Sequence, residues 1–264
     1  MTSSTNTFAS VFIEELEERW REIDILIDQI ATSEDDVKNV LSRSAVVLLV
    51  AHLEGFVKEA ASILVKDLNA YVQFKDLPKI VQKTYCSRFL SPINDSGGID
   101  NRIQGKLLEE FSNLNAHLTV EPFLFDRNKN PSPSVIELVL GNFGVKDFFT
   151  LIHQSNLDVV FENNRAEILA LSSELEHYLK SAVTSFPYNI DLDTYSISKK
   201  EQKLKREESL WVAFIDELLR MRHSIAHGSN FQNEIGEPQL VDAIIKVRIL
   251  QYAIALVLFA SVIE

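Results

Sequence analysis

Residues 220–229, Arg-Met-Arg-His-Ser-Ile-Ala-His-Gly-Ser, set two guanidinium groups and two imidazoles within eight positions. Imidazole gains and loses protons near neutrality, so a histidine can act as acid or base. Arginine stays charged and offers a planar fork that matches an oxyanion. The stretch therefore suits proton transfer beside a bound anion. His223 and His227 stand four apart on one helix face, a spacing that could also hold zinc. No third ligand is apparent, and Ser224, Ile225 and Ala226 stand where a metalloprotease helix would carry its glutamate, so no metal is expected. The plainer alternative is a pair of solvated histidines complementing the C-terminal end of a helix dipole.

At about 100° per residue, Trp211, Ile215, Leu218 and Ile225 form an apolar stripe, with Asp216, Arg220, His223 and His227 opposite. Arg222 falls on the stripe. A guanidinium aimed at a core needs a partner. Glu54, on an earlier helix, is the expected carboxylate; alternatively the stripe faces a second subunit. Glu54 and Lys58 are four apart and could instead form an ordinary helix pair. Arg222 and His227 diverge by about 140° and about 7.5 Å along one helix. Fraying near Gly228 or a second chain would bring them together. Arg220 and His227 share a face and give a competing register.

The elements that must position these residues read as helices. Apolar side chains recur at three- and four-residue spacing over 8–31. Ser33 is placed to cap a second helix from about Glu34 to Tyr71, with Asp35 and Asp36 at the positive end of its dipole. Its centre, Ala45–Ala51, is apolar almost all round, which predicts a place inside a bundle. Shorter helices follow within residues 77–90, 101–114 and 131–144, separated by turn signals at Asp95–Gly98 and Asn128–Pro133. A longer helix is expected over Asn163–Thr184, then an irregular connection. The basic run with Lys199, Lys200, Lys203, Lys205 and Arg206 reads as a solvated face or a phosphate-contacting rim. Gly228 stops the motif helix, and Pro238 opens the last one.

Only 8 glycines and 7 prolines occur in 264 residues, which favours helices over many short strands. A net charge of −12 excludes holding nucleic acid by bulk charge, so any such contact must be local. The lone Cys86 excludes an internal disulfide framework and suits a reducing cytoplasm. No signal peptide is expected at the N-terminus. The closing apolar run of 15 residues between Arg248 and Glu264 is short for a membrane span and typical of a buried core helix, so no membrane is expected.

Arg222-His223-Ser224-Ile225-Ala226-His227 resembles the signature of the HEPN superfamily: an arginine, a polar residue, and a histidine near the end of a bundle helix. Ala51-His52-Leu53-Glu54-Gly55-Phe56-Val57-Lys58 is similar to a segment of the long helix in one prokaryotic HEPN branch. The resemblance covers about 34–72 and 209–263, within one all-α HEPN-like domain spanning 1–264; residues 73–205 would be an inserted helical elaboration. It implies a metal-independent endoribonuclease without cofactor, acting as a homodimer with both motifs in one cleft. Arg222, His227 and His223 would be catalytic, with Glu54, Arg220 and Lys58 supporting or binding phosphate. Arg222 fits better than Arg220, which is followed by Met221. RNA would be the substrate, and a toxin or anti-phage role would add an antitoxin or regulatory protein as partner. A non-catalytic HEPN-like module that binds a nucleotide, RNA or protein is the other class.

Overall fold

The computed structural model describes residues 6–90, 100–125, 130–162, 164–197, 209–228 and 235–262. The Asp95–Gly98 turn, the basic run over 198–208 and most of the connection before Pro238 lie outside these residues, as do Asn128 and Lys129. Ten α-helices and no strand occur among the described residues: α1 Phe8–Glu14, α2 Leu16–Thr32, α3 Asp35–Tyr71, α4 Lys79–Ser87, α5 Asn101–Asn113, α6 Pro133–Gly141, α7 Phe148–His153, α8 Arg165–Ala182, α9 Leu210–Ala226 and α10 Glu237–Ala260. This is the all-α bundle expected from the periodicity.

Apolar patterning explains the layout. From Ile249 to Ala260 every residue of α10 is buried, so this helix has no polar face and sits within a cage. It packs against α3, α8 and α2, while α3 in turn contacts α1, α2 and α9. The apolar run overlaps the second half of a helix of 24 residues, long enough to cross a membrane; of its most apolar 18-residue window, 89% is buried within the protein. One polar side chain serves that core. Gln251 accepts from Trp20 Nε1 at 3.1 Å and donates to the His52 carbonyl at 3.3 Å. It thereby ties α2, α3 and α10 with both ends of its amide satisfied.

Several boundaries differ from the expected ones for local reasons. The helix over 8–31 is jointed at Glu15, where the backbone stays right-handed. Ser33 does not cap α3: its hydroxyl turns back to the Gln29 carbonyl at 2.7 Å, and Glu34 takes the cap position without a side-chain bond. The expected acidic first turn is present at Asp35 and Asp36. The short α7 escaped the periodicity because six residues give under two turns. Helix α5 has no buried residue and leans on α4 and on the 3₁₀ turn Phe74–Asp76.

The N-terminal helix is pinned by a charge in the interior. Asp67 is fully buried, and its carboxylate accepts from the Phe8 and Ala9 amides at 2.9 Å and from the Tyr188 hydroxyl at 2.7 Å. It caps the start of α1 from a distant helix, supplying the negative charge that the helix start favours. Burial and the Asp67 carboxylate hold the Tyr188 hydroxyl protonated well above the usual tyrosine range. Replacing Asp67 by alanine strands three donors. The expected loss is about 3 kcal/mol in urea unfolding followed by circular dichroism. A loss under about 0.5 kcal/mol would show that water satisfies these groups instead.

Candidate functional site at the end of α9

Helix α9 is anchored by its first half. Trp211 and Ile215 are fully buried and Leu218 nearly so, and the Trp211 ring meets Phe161 edge-on at 5.0 Å. Lys246 of α10 lies over the Phe161 and Phe214 rings, joining the two helices from the side. Past Leu218 the burial fades: Ile225 is only half-buried, and Arg220, His223 and His227 are exposed. The last two turns thus extend beyond the packed layer. Their chemistry is presented to solvent on a rigid stem.

The helix ends in a closed turn rather than a frayed one. The His227 amide donates to the His223 carbonyl at 3.0 Å and the Gly228 amide to the Ile225 carbonyl at 3.2 Å. Gly228 then turns left-handed at φ 63°, a conformation in which a side chain would be strained. Fraying near Gly228 therefore does not bring Arg222 to His227. The His223 and His227 rings instead face each other, with centroids 4.2 Å apart and planes tilted by 49°. No group of three or more His, Cys, Asp or Glu side chains suited to a metal forms among the described residues.

The two arginines are held differently. Arg220 forks onto Glu217, with Nε and Nη2 at 3.1 and 2.6 Å from its carboxylate oxygens. Arg222 donates through Nη1 to Asn130 Oδ1 at 3.1 Å. An amide orients the guanidinium without cancelling its charge, whereas a carboxylate does both. Arg222 is thus the better placed of the two to attract an anion.

Glu54 is not the partner of Arg222. It accepts from Lys58 at 2.6 Å, the ordinary i, i+4 pair, and Lys58 Nζ lies 4.8 Å over the Phe125 ring. The expectation failed because a wheel gives direction but not depth. The turn that carries Arg222 lies where the core has ended, and its side chain is only half-buried, so no buried carboxylate is required. Phe125 lies under Lys58, and Asn130, five residues further on in the sequence, meets Arg222. Asn130 is the residue that sequence reasoning missed. Only the turn signal around it was visible, and a turn residue's side-chain partner has no periodic signature.

The closed turn makes a specific prediction. Gly228→Ala forces a Cβ into the left-handed conformation and should cost about 1 kcal/mol, read as a lower urea midpoint. An unchanged midpoint would mean that the turn re-forms without the left-handed residue.

No curated protein and no solved structure matches the chain. The family model described as RiboL-PSP-HEPN does match, over residues 14–258. That span runs from the last residue of α1 through nearly all of α10 and contains the α3 segment, Asn130 and the whole Arg222–His227 motif. A chain of helices wrapped around α10, with Arg222, His223 and His227 on the projecting end of α9, belongs to the RiboL-PSP-HEPN family of the HEPN superfamily.

Proposed function

We propose that the chain is a metal-independent endoribonuclease whose site is shared by two copies, acting as a toxin or anti-phage effector held in check by an antitoxin or other regulatory protein. The observation that carries this reading is the pairing of Arg222, whose partner among the described residues is neutral, with an exposed His223–His227 pair one turn on. RNA can be cut without a metal when its 2′-hydroxyl is deprotonated and attacks the adjacent phosphorus. The bond to the 5′-oxygen breaks as that oxygen takes a proton, leaving a 2′,3′-cyclic phosphate and a 5′-hydroxyl. Two histidines, one from each copy, supply the base and the acid. Arg222 grips the non-bridging oxygens as charge builds on them. His223 positions the ring of His227, and Arg220 is an auxiliary phosphate contact. Glu54 and Lys58 form a helix pair on α3 and act as supporting residues.

The second reading is a HEPN module that binds a nucleotide, an RNA or a protein without cutting. One observation favours it: among the described residues no hydrogen bond joins Arg222 to His227 within one chain, so a lone copy presents binding groups without an assembled acid–base pair.

Purified protein incubated with mixed RNA in EDTA should yield fragments with cyclic phosphate ends. His227→Ala should lower the rate by about 10²-fold or more with unchanged melting, since the ring is exposed. No cleavage by the wild type would leave the binding module, and equal cleavage by both would place the activity elsewhere. Asn130→Asp offers a second check. It turns a neutral contact to Arg222 into an ion pair, so oligonucleotide binding by fluorescence anisotropy should weaken by about tenfold, while Asn130→Ala stays within about threefold. Equal affinity in all three proteins would remove Arg222 from anion binding.

A further inference from the structure

Many cations of this acidic chain are neutralised where they stand: Arg19, Arg21, Lys58, Lys180 and Lys246 each meet a carboxylate. Helices α4 and α5 break that habit. Residues 79–88 and 101–108 carry Lys79, Lys83, Arg88, Arg102 and Lys106 and no carboxylate, in a chain of net charge −12. All five are exposed, and none has an ion-pair partner among the described residues; Lys79 meets the neutral amide of Gln82 at 3.2 Å. The nearest acidic residues along the chain stand to either side. Asp100 is engaged as the cap of α5, accepting from the Arg102 and Ile103 amides at 2.8 and 3.3 Å. Glu109 and Glu110 come only past the midpoint of α5, and Glu121 opens the 3₁₀ turn Glu121–Phe123.

The two helices form a lobe. Gln104 Nε2 donates to Ser87 Oγ at 3.1 Å and to the Lys83 carbonyl at 3.4 Å, which sets the basic half of α5 beside the middle of α4. The lobe packs on the 3₁₀ turns Phe74–Asp76 and Glu121–Phe123, whereas α9 packs on α3, α6 and α7. Two further features of the lobe serve no packing in the chain. Phe89 is 54% exposed, yet its ring is held edge-on by Tyr85 at 5.4 Å and by Phe111 at 5.3 Å. Gly105 sits inside α5, where glycine is a poor helix former. A Cβ built on it meets nothing within 4 Å, so no close neighbour in the fold calls for a glycine there.

We infer that the α4–α5 lobe is a second RNA-contacting surface, which holds single-stranded RNA apart from the α9 motif. Each feature that the fold leaves unused has a counterpart in that ligand. Phosphates take the place of the missing carboxylates around the five cations. An unpaired base stacks on the held ring of Phe89. The sugar–phosphate chain comes close to the helix at Gly105, where a side chain would stand in its way.

The inference rests on the ribonuclease reading for the identity of the polyanion as RNA. A chain of net charge −12 repels RNA over most of its surface, so a cationic face is where a strand can be retained while the motif acts on it. A duplex would leave Phe89 without a base to stack, because its bases are already paired and stacked on one another. An acidic peptide would satisfy the cations and give the exposed ring no partner. The role assigned to this part of the chain is therefore substrate retention, with the chemistry left to α9.

The test uses the whole chain, carrying His227→Ala so that RNA stays intact, and a labelled oligouridylate of about 20 nucleotides read by fluorescence anisotropy. Adding Lys83→Gln with Arg102→Gln removes two exposed charges, so melting should hold. Affinity should fall about tenfold or more, and the slope of log affinity against log salt should flatten by about 1.4. Phe89→Ala should weaken binding about tenfold with the slope unchanged, and Phe89→Trp, which keeps a ring in place, should restore it. In the otherwise native protein, the double charge change should raise KM for long RNA and leave cleavage of a dinucleotide, too short to reach both surfaces, as it was. Affinity within about twofold of the parent, either in the double charge variant or in Phe89→Ala, overturns the inference. So does polyglutamate that displaces the oligouridylate at equal charge, which would mark a surface for an acidic protein. Binding that is lost as expected in a protein that never cuts RNA removes the ribonuclease reading alone. Unchanged binding in a protein that does cut removes the lobe alone.

Discussion

A helix that is apolar on every side is stable in water only if other helices enclose it, and α10 is such a helix from Ile249 to Ala260. That requirement organises the rest. α2, α3 and α8 pack around it, α3 extends the core outward to α1 and α9, and Lys246 bridges the rings of Phe161 and Phe214 where α10 leaves the packed layer. The one amide in that stretch, Gln251, is satisfied at both ends by α2 and α3. It fixes how the three helices register, because any slip would strand a buried donor or acceptor.

The candidate site stands where this enclosure stops. The stem of α9 is locked by Trp211, Ile215 and Leu218, and its last turns project with Arg222, His223 and His227. The closed turn at Gly228 holds His227 in helical register, so the spacing of the motif in sequence is a spacing in space. Asn130 then sets the guanidinium of Arg222. Rigid support below and open chemistry above is a common condition for a site built on a helix end.

Much of this was legible in the sequence, for reasons of periodicity. Helices of four turns or more declare themselves through apolar spacing, so α3, α8, α9 and α10 were read close to their observed bounds. The glycine stop after His227 and the proline at the start of α10 follow from backbone constraints that act locally. What was missed depends on distance rather than pattern. The partner of Arg222 comes from a connection 92 residues away, and nothing periodic marks Asn130. Ser33 has the right chemistry for a cap, but its hydroxyl found the Gln29 carbonyl first. The depth of Arg222 was misjudged, because a wheel has no axial end. Glu54 remained with Lys58 for the same reason.

The order of the helices along the chain carries a consequence for how the protein is made. α10 leaves the ribosome after every other helix described here, and the bond that joins Trp20 to Gln251 spans 231 residues. Thr7 likewise reaches the Val183 carbonyl, 176 residues on. Until α10 emerges, the apolar faces of α2, α3 and α8 that will meet it have no partner on the nascent chain. The contacts of α10 are therefore non-local and late, and contacts of that kind form more slowly than those between neighbours. The stem that holds Arg222 and His227 becomes rigid only when the bundle closes, so the motif is fully translated before it is fully placed.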